Sequence, residues 1–141
     1  TKSQAAERCG FDNNPDKEQV ASLVLLCEHV LQPIRDHFQK PVVISSGYRS
    51  PNVSRQIGSS SKSQHCKGQA ADMEIPGISN KELADFIYEN LPFDQVILEF
   101  HNPEEINSGW VHVSYVGDEN RYAYLIAERD ETGRVRYSKW Q

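Results

Sequence analysis

The sequence predicts one α+β domain spanning residues 1–141, in which N-terminal helices pack on a central, largely antiparallel sheet. Three observations carry that expectation. At 141 residues the chain fits one domain of ordinary size, large enough to bury a core without disulfide or metal staples. Apolar residues recur at helical spacing early in the chain, and short β-branched or alternating runs dominate after residue 90. Helices first and strands later is the order of an α+β fold rather than of repeated βαβ units.

Asn14 and Pro15 read as an N-cap followed by proline at the first helical position. Val20, Leu23, Val24, Cys27, Val30, Leu31, Ile34 and Phe38 then form one apolar stripe, so a single long amphipathic helix is expected. Pro33 removes the hydrogen bond to His29 and implies a kink or a break. Residues 41–45 read as a short buried strand, and 50–63 as a polar, Ser-rich loop or short helix. A second strand is expected over 69–75, ended by Pro76-Gly77. Ser79 and Glu82 make a capping box for a helix to about Asn90 that turns Leu83, Phe86 and Ile87 inward and stops at Leu91-Pro92. Strands follow over 94–100 and 110–115, and a hairpin over 121–128 and 134–139 turns at Asp130-Glu131-Thr132-Gly133.

An apolar content of 38% and a charged content of 25% are those of a globular protein rather than a disordered or fibrous one. Twenty acidic against fifteen basic residues leave a net charge of −5, with no basic cluster beyond Arg134 and Arg136, so nucleic acid is not expected as a partner. The longest apolar run, 23–27, falls far short of the roughly 20 residues that span a bilayer, and no signal-peptide pattern opens the chain. The three cysteines, Cys9, Cys27 and Cys66, follow no paired spacing, which fits a reducing compartment of synthesis. A monomer made in the cytoplasm, without a membrane segment, is the expectation.

The chemistry concentrates in Ser63-Gln64-His65-Cys66-Lys67-Gly68-Gln69-Ala70-Ala71-Asp72, where an imidazole and a carboxylate stand seven residues apart. Both are good zinc ligands. Seven residues separate Cα atoms by roughly 10 Å in a helix and about 23 Å in a strand, too far for side chains that must each approach a metal at about 2 Å. The chain must fold back, and Lys67-Gly68 is the place for it. Alternation puts Ala70, Asp72 and Glu74 on one face of their strand, with Ala71, Met73 and Ile75 toward the core, and it turns His112 away from Val111 and Val113. In the strand between them Gln95, Ile97, Glu99 and His101 share one face and Val96, Leu98 and Phe100 the other, so Glu99 is placed to reach the same cleft. Cys66, beside His65, points to the opposite side and reads as a packed or exposed free thiol.

Three motifs now stand in order: Ser46-Gly47-Tyr48-Arg49-Ser50-Pro51, then Ser-x-His-x-x-Gly-x-Ala-x-Asp at 63–72, then Trp-Val-His-Val-Ser at 110–114. Together they resemble the zinc D-Ala-D-Ala carboxypeptidases of peptidase family M15, especially its small phage-type members. The resemblance implies one zinc ion held by His65, Asp72 and His112, in a mixed fold shared with the signalling domain of hedgehog proteins. It also implies hydrolysis of a peptide bond in peptidoglycan stem peptides, and hence action on the cell wall. Three protein ligands leave one tetrahedral position for a water whose pKa zinc lowers to roughly 7. A carboxylate must then take a proton and return it to the leaving amine.

Many family members carry that carboxylate three residues before the last histidine ligand, where this chain has Gly109. The role falls instead to Glu99, with His101 as second choice. Arg49 resembles the family's arginine, which holds a substrate carboxylate or stabilises the oxyanion. Tyr48, Ser63, His101 and Trp110 are the candidate substrate contacts. Whether the enzyme is an endopeptidase or a carboxypeptidase stays open. Gly109 also motivates a competing reading, a zinc-stabilised cell-wall or peptide binding module that has lost the chemistry.

Overall fold

The computed structural model describes residues 13–51, 54, 63–105 and 107–139. Helix α1, Lys17–Leu26, starts two positions later than Asn14 and Pro15 suggest. Asp16 is the N-cap: its carboxylate accepts from Gln19 N and its own N–H donates to the Gln19 side chain, at 2.9 and 2.8 Å. Two reciprocal bonds outcompete a proline placed at the first turn, and Pro15 stands just outside the helix.

The backbone stays helical through Pro33 but changes type just before it. The backbone passes from α1 through one π turn, Cys27–Leu31, into α2, Gln32–Phe38, with right-handed torsions throughout the joints. Gln32 N reaches back to Cys27 O, so the ladder skips a residue just before the proline that cannot donate. The buried stripe is Leu26, Val30 and Ile34, each at most 1% exposed, whereas Val20 and Val24, expected inside, are 45% and 47% exposed. Leu23, a member of the expected stripe, and Gln19 lie against the Gly68 turn, so the side of α1 carrying Val20 and Val24 is turned away from it.

Among the described residues the sheet holds six strands: β1 Val43–Ser46, β2 Ala70–Glu74, β3 Gln95–Glu99, β4 Trp110–Ser114, β5 Ala123–Arg129 and β6 Val135–Lys139. Their spatial order is β1-β2-β4-β3-β5-β6. All neighbours are antiparallel except β3 and β5, which run parallel. The expected buried strand at 41–45 is an edge strand: it has a partner on one side only, and Val43 and Ile44 are both 42% exposed. Most of the loop expected over 50–63 lies outside the described residues.

Helix α3, Asn80–Asn90, is capped by Ser79, whose hydroxyl accepts from Glu82 N at 3.0 Å. It buries Leu83, Ala84 and Ile87, with Phe86 half-buried against them. These side chains meet Leu26, Val30 and Ile34 and one face of the sheet, carried by Met73, Val111, Leu98 and their neighbours, in a single core. All the described helices therefore cover one face of the sheet, and the residues of opposite phase are left for the other. Truncating a fully buried side chain such as Leu26 to alanine costs about 2–5 kcal/mol in a core of this kind.

One buried carboxylate ties the late strands to the early loop. Asp94, with a side chain 3% exposed, accepts from Arg121 N and Nε through Oδ1, and from Arg121 Nη2 and Gln64 Nε2 through Oδ2. Burial alone pushes this carboxyl up, but the hydrogen bonds from Arg121 and Gln64 outweigh it and bring the pKa down to about 2. A folded pKa below the unfolded value of about 3.9 gives stability that is complete above pH ~4 and disappears as pH falls through about 2. Asp94→Asn lacks this titration. Urea unfolding of both proteins between pH 5 and pH 2 is expected to show the wild type losing more stability than the variant, and parallel curves would contradict the assignment.

Candidate metal centre and active site

The loop that carries His65 is a single 3-10 turn, Gln64–Lys67, capped at its start by Ser63, whose hydroxyl accepts from His65 N at 3.2 Å. It ends at Gly68, φ +70°, a left-handed conformation that favours glycine. A β-carbon there would lie 2.4 Å from the Gln19 carbonyl oxygen, so the reversal is packed against α1 and admits no side chain. Gln19 also donates through Nε2 to the Cys66 carbonyl at 3.1 Å. The turn delivers the chain into β2, where Asp72 stands in register with His112 on β4.

Three side chains thereby converge. His65 Nε2 lies 3.3 Å from Asp72 Oδ1, His112 Nδ1 lies 3.0 Å from the same oxygen, and one ligand atom from each of the three falls within 4.8 Å of the others. His65 Nδ1 is 2.9 Å from the Gly47 carbonyl. A carbonyl only accepts, so Nδ1 carries the proton and Nε2 turns its lone pair toward the carboxylate. Two acceptors facing each other at this distance need a proton or a metal cation between them.

Two ligand atoms on a tetrahedral zinc, each bonded at 2.0–2.1 Å, are about 3.3 Å apart. The donor set fits that ion, and the 3.3 and 3.0 Å separations from Asp72 Oδ1 lie near that spacing. Burial raises the Asp72 carboxyl, but its interactions with the two imidazoles, the hydrogen bond with His112 first, outweigh it and hold it well below the usual carboxylate range. Cys66 is buried yet stands apart from this group, and Cys27 is exposed on the first helix.

The three ligands form one side of a cleft of about 610 Å³ on the sheet face that the helices leave uncovered. Its floor and walls include Gln95, Ile97 and Glu99 from β3, Trp110 from β4, and Arg49, Ser63 and Lys67 from the loops. Glu99 is half-buried, and burial together with the Asp72 carboxylate pushes its own carboxyl up. Arg49 is fixed at both ends. Its N–H donates to the His65 carbonyl at 3.0 Å and Nη2 donates to Ser46 Oγ at 2.9 Å, and it forms no ion pair with Glu99.

Two of the residues expected in the cleft lie elsewhere. Tyr48 is 7% exposed and outside the lining, because Asn13 bonds its carbonyl and the neighbouring Ser50 N–H, turning Tyr48 inward while Arg49 faces the cleft. His101 is also outside it: Phe100 adopts a left-handed φ of +55°, which breaks the strand alternation one residue after Glu99. Phe100 instead lies against Trp110, with ring centroids 5.3 Å apart and planes tilted by 58°, and Arg129 sits over its ring.

A family model described as Peptidase M15 matches residues 1–114. The chain belongs to the peptidase M15 family. Comparison with curated protein sequences gives no match. M15 peptidases are zinc-dependent, and this member's His65, Asp72 and His112 are the group that can hold the ion. Gly109, where a carboxylate stands in many M15 sequences, has φ +68°, and a β-carbon there would lie 1.8 Å from the Glu99 carbonyl oxygen. No side chain fits at 109 while β3 carries Glu99 across from Trp110, so the departure is enforced by the backbone of β3 itself.

Gln64, Lys67 and Arg121 line the cleft without standing out in the sequence, and Tyr137, which the sequence pattern reads with the C-terminal hairpin as sheet edge rather than a ligand platform, lines it too. Lys67 lies inside the zinc motif and was readable there. Arg121 and Tyr137 were not, since nothing in local pattern places β5 beside β3.

Metal analysis is expected to give one zinc per chain for the wild type and for Cys66→Ser, and a loss of at least tenfold in affinity for Asp72→Ala and His112→Ala. Equal zinc content in all four proteins would contradict the ligand assignment.

Proposed function

We propose that this M15 peptidase hydrolyses a peptide bond in peptidoglycan stem peptides, with Glu99 as the proton carrier. The observation that supports the reading is that Glu99, from β3, and the histidine-aspartate-histidine group, from the zinc loop, β2 and β4, open into the same cleft. Zinc held there supplies a Lewis acid that polarises a carbonyl and makes water acidic enough to react near neutral pH.

The chain's own residues do the rest. The Gly47 carbonyl locks the His65 tautomer through Nδ1, which leaves the Nε2 lone pair free to bind a metal. Glu99 takes the proton from the attacking water and hands it to the leaving amine, so its carboxyl must accept and release a proton within one turnover. Arg49, held by Ser46, presents a fixed positive charge to the developing oxyanion or to a substrate carboxylate. A terminal carboxylate on Arg49 makes the enzyme a carboxypeptidase; a main-chain carbonyl there makes it an endopeptidase. Trp110 forms an apolar wall beside the scissile bond.

Gly109 does not favour an inactive binding module, because the backbone requires glycine at that position whether or not the site turns over.

Muropeptides incubated with zinc-loaded protein are expected to lose mass corresponding to one hydrolysed peptide bond, and the product mass separates the two specificities. Glu99→Gln is expected to lower kcat by 10²–10⁴ with zinc retained. Intact muropeptides with the wild type would sink the peptidase reading, and a fully active Glu99→Gln would remove Glu99 from its role.

A further inference from the structure

The family match ends at residue 114, yet the sheet continues through β5 and β6 to Lys139. Among the described residues strand β6 is an edge strand whose five residues are all exposed, so it adds nothing to the buried core and is held by its ladder to β5. Its register accounts for its place. Glu99 pairs with Trp110 on one side and Ala127 on the other, and Ala127 pairs with Tyr137. Trp110, Glu99, Ala127 and Tyr137 therefore form one row across four strands, on the face that carries the cleft.

Ala127 is the small member of that row and is fully buried. A methyl group between Glu99 and Tyr137 leaves a shelf across which the phenol, two strands away, leans toward the cleft, and Tyr137 lines it together with the metal ligands. The Tyr137 hydroxyl has no hydrogen-bond partner among the described residues. Burial and the Glu99 carboxylate push the phenol up, which keeps its proton on as a donor at neutral pH. Arg49 stands in the loop after β1, at the other end of the strand order, so the two residues approach the cleft from opposite edges of the sheet.

We propose that Tyr137 is a substrate-binding residue whose hydroxyl donates a hydrogen bond to the main chain of the bound peptide, on the side of the cleft opposite Arg49. The hairpin of β5 and β6 is then a working wall of the site. This rests on the peptidase reading for the identity of the ligand, and on the register of β3, β5 and β6 for the residue.

The test compares full-length wild type with Tyr137→Phe and with Tyr122→Phe, a tyrosine of similar exposure outside the cleft. Tyr137→Phe keeps the ring and removes the donor, and at 57% exposure it leaves the fold intact. Muropeptide kinetics are expected to show kcat/KM down by roughly three- to tenfold, mostly through KM, the factor that one neutral hydrogen bond carries. Calorimetric binding of the same muropeptide in a Glu99→Gln background is expected to weaken by the same factor, with zinc content unchanged. Kinetics and affinity within twofold of wild type and Tyr122→Phe would overturn the proposal while leaving the peptidase reading in place. Should the wild type cleave no muropeptide, the peptidase reading fails by itself, and calorimetry on wild type and Tyr137→Phe still decides: weaker binding in the variant upholds the contact, and equal or undetectable binding overturns it.

Discussion

Seven residues separate His65 from Asp72, and their side chains meet only because the chain reverses between them at one left-handed glycine. Gly68 closes the 3-10 turn, packs its α-carbon against the Gln19 carbonyl, and starts β2 in the phase that turns Asp72 outward. A side chain at 68 would push the zinc loop off α1 and move His65 with it. The same loop is tied at its other end through Gln64 to Asp94, and through Asp94 to Arg121 at the entry to β5. The position of one imidazole thus depends on α1, β3 and β5 at once, which is how a short irregular segment is held to the precision a metal site needs.

The electrostatics follow from that placement. Asp72 is a largely buried carboxylate whose side chain is 14% exposed, facing two imidazoles. Burying a charge in this way is costly unless it is paired, and pairing both histidines to one oxygen concentrates three donor atoms at a point. An arrangement that strains a metal-free protein is the arrangement a cation relieves. Glu99 sits at the edge of this field, raised by burial and by Asp72 and close enough to share the cleft without joining the ligand set.

The phase of the strands was legible in the sequence because it depends on local rules, and the ligand set because three motifs in order resemble those of a known family. Alternation along 70–75, 95–99 and 110–114 assigns inside and outside without knowing which strands touch. The turn was legible because distance alone demands it. What failed depends on partners. Val20 and Val24 look as apolar as Leu26, and only the docking of Gln19 and Leu23 near Gly68 selects the buried face of α1. The apolar run at 42–44 looks like a buried strand until its edge position is known. Alternation itself fails at His101, where Phe100 takes a conformation seldom adopted by non-glycine residues. Tyr137 reads in the sequence only as part of an edge hairpin, because the parallel β3–β5 pair that brings it to the cleft is a fact of topology.

Zinc K-edge absorption spectroscopy of the zinc-loaded protein tests the central claim most directly, since it reads the ligand shell itself. The account predicts four nitrogen or oxygen neighbours at about 2.0–2.1 Å, with the outer-shell scattering of two imidazoles. A sulfur neighbour at about 2.3 Å, which would bring Cys66 into the site, or a shell with fewer than two imidazoles would contradict it.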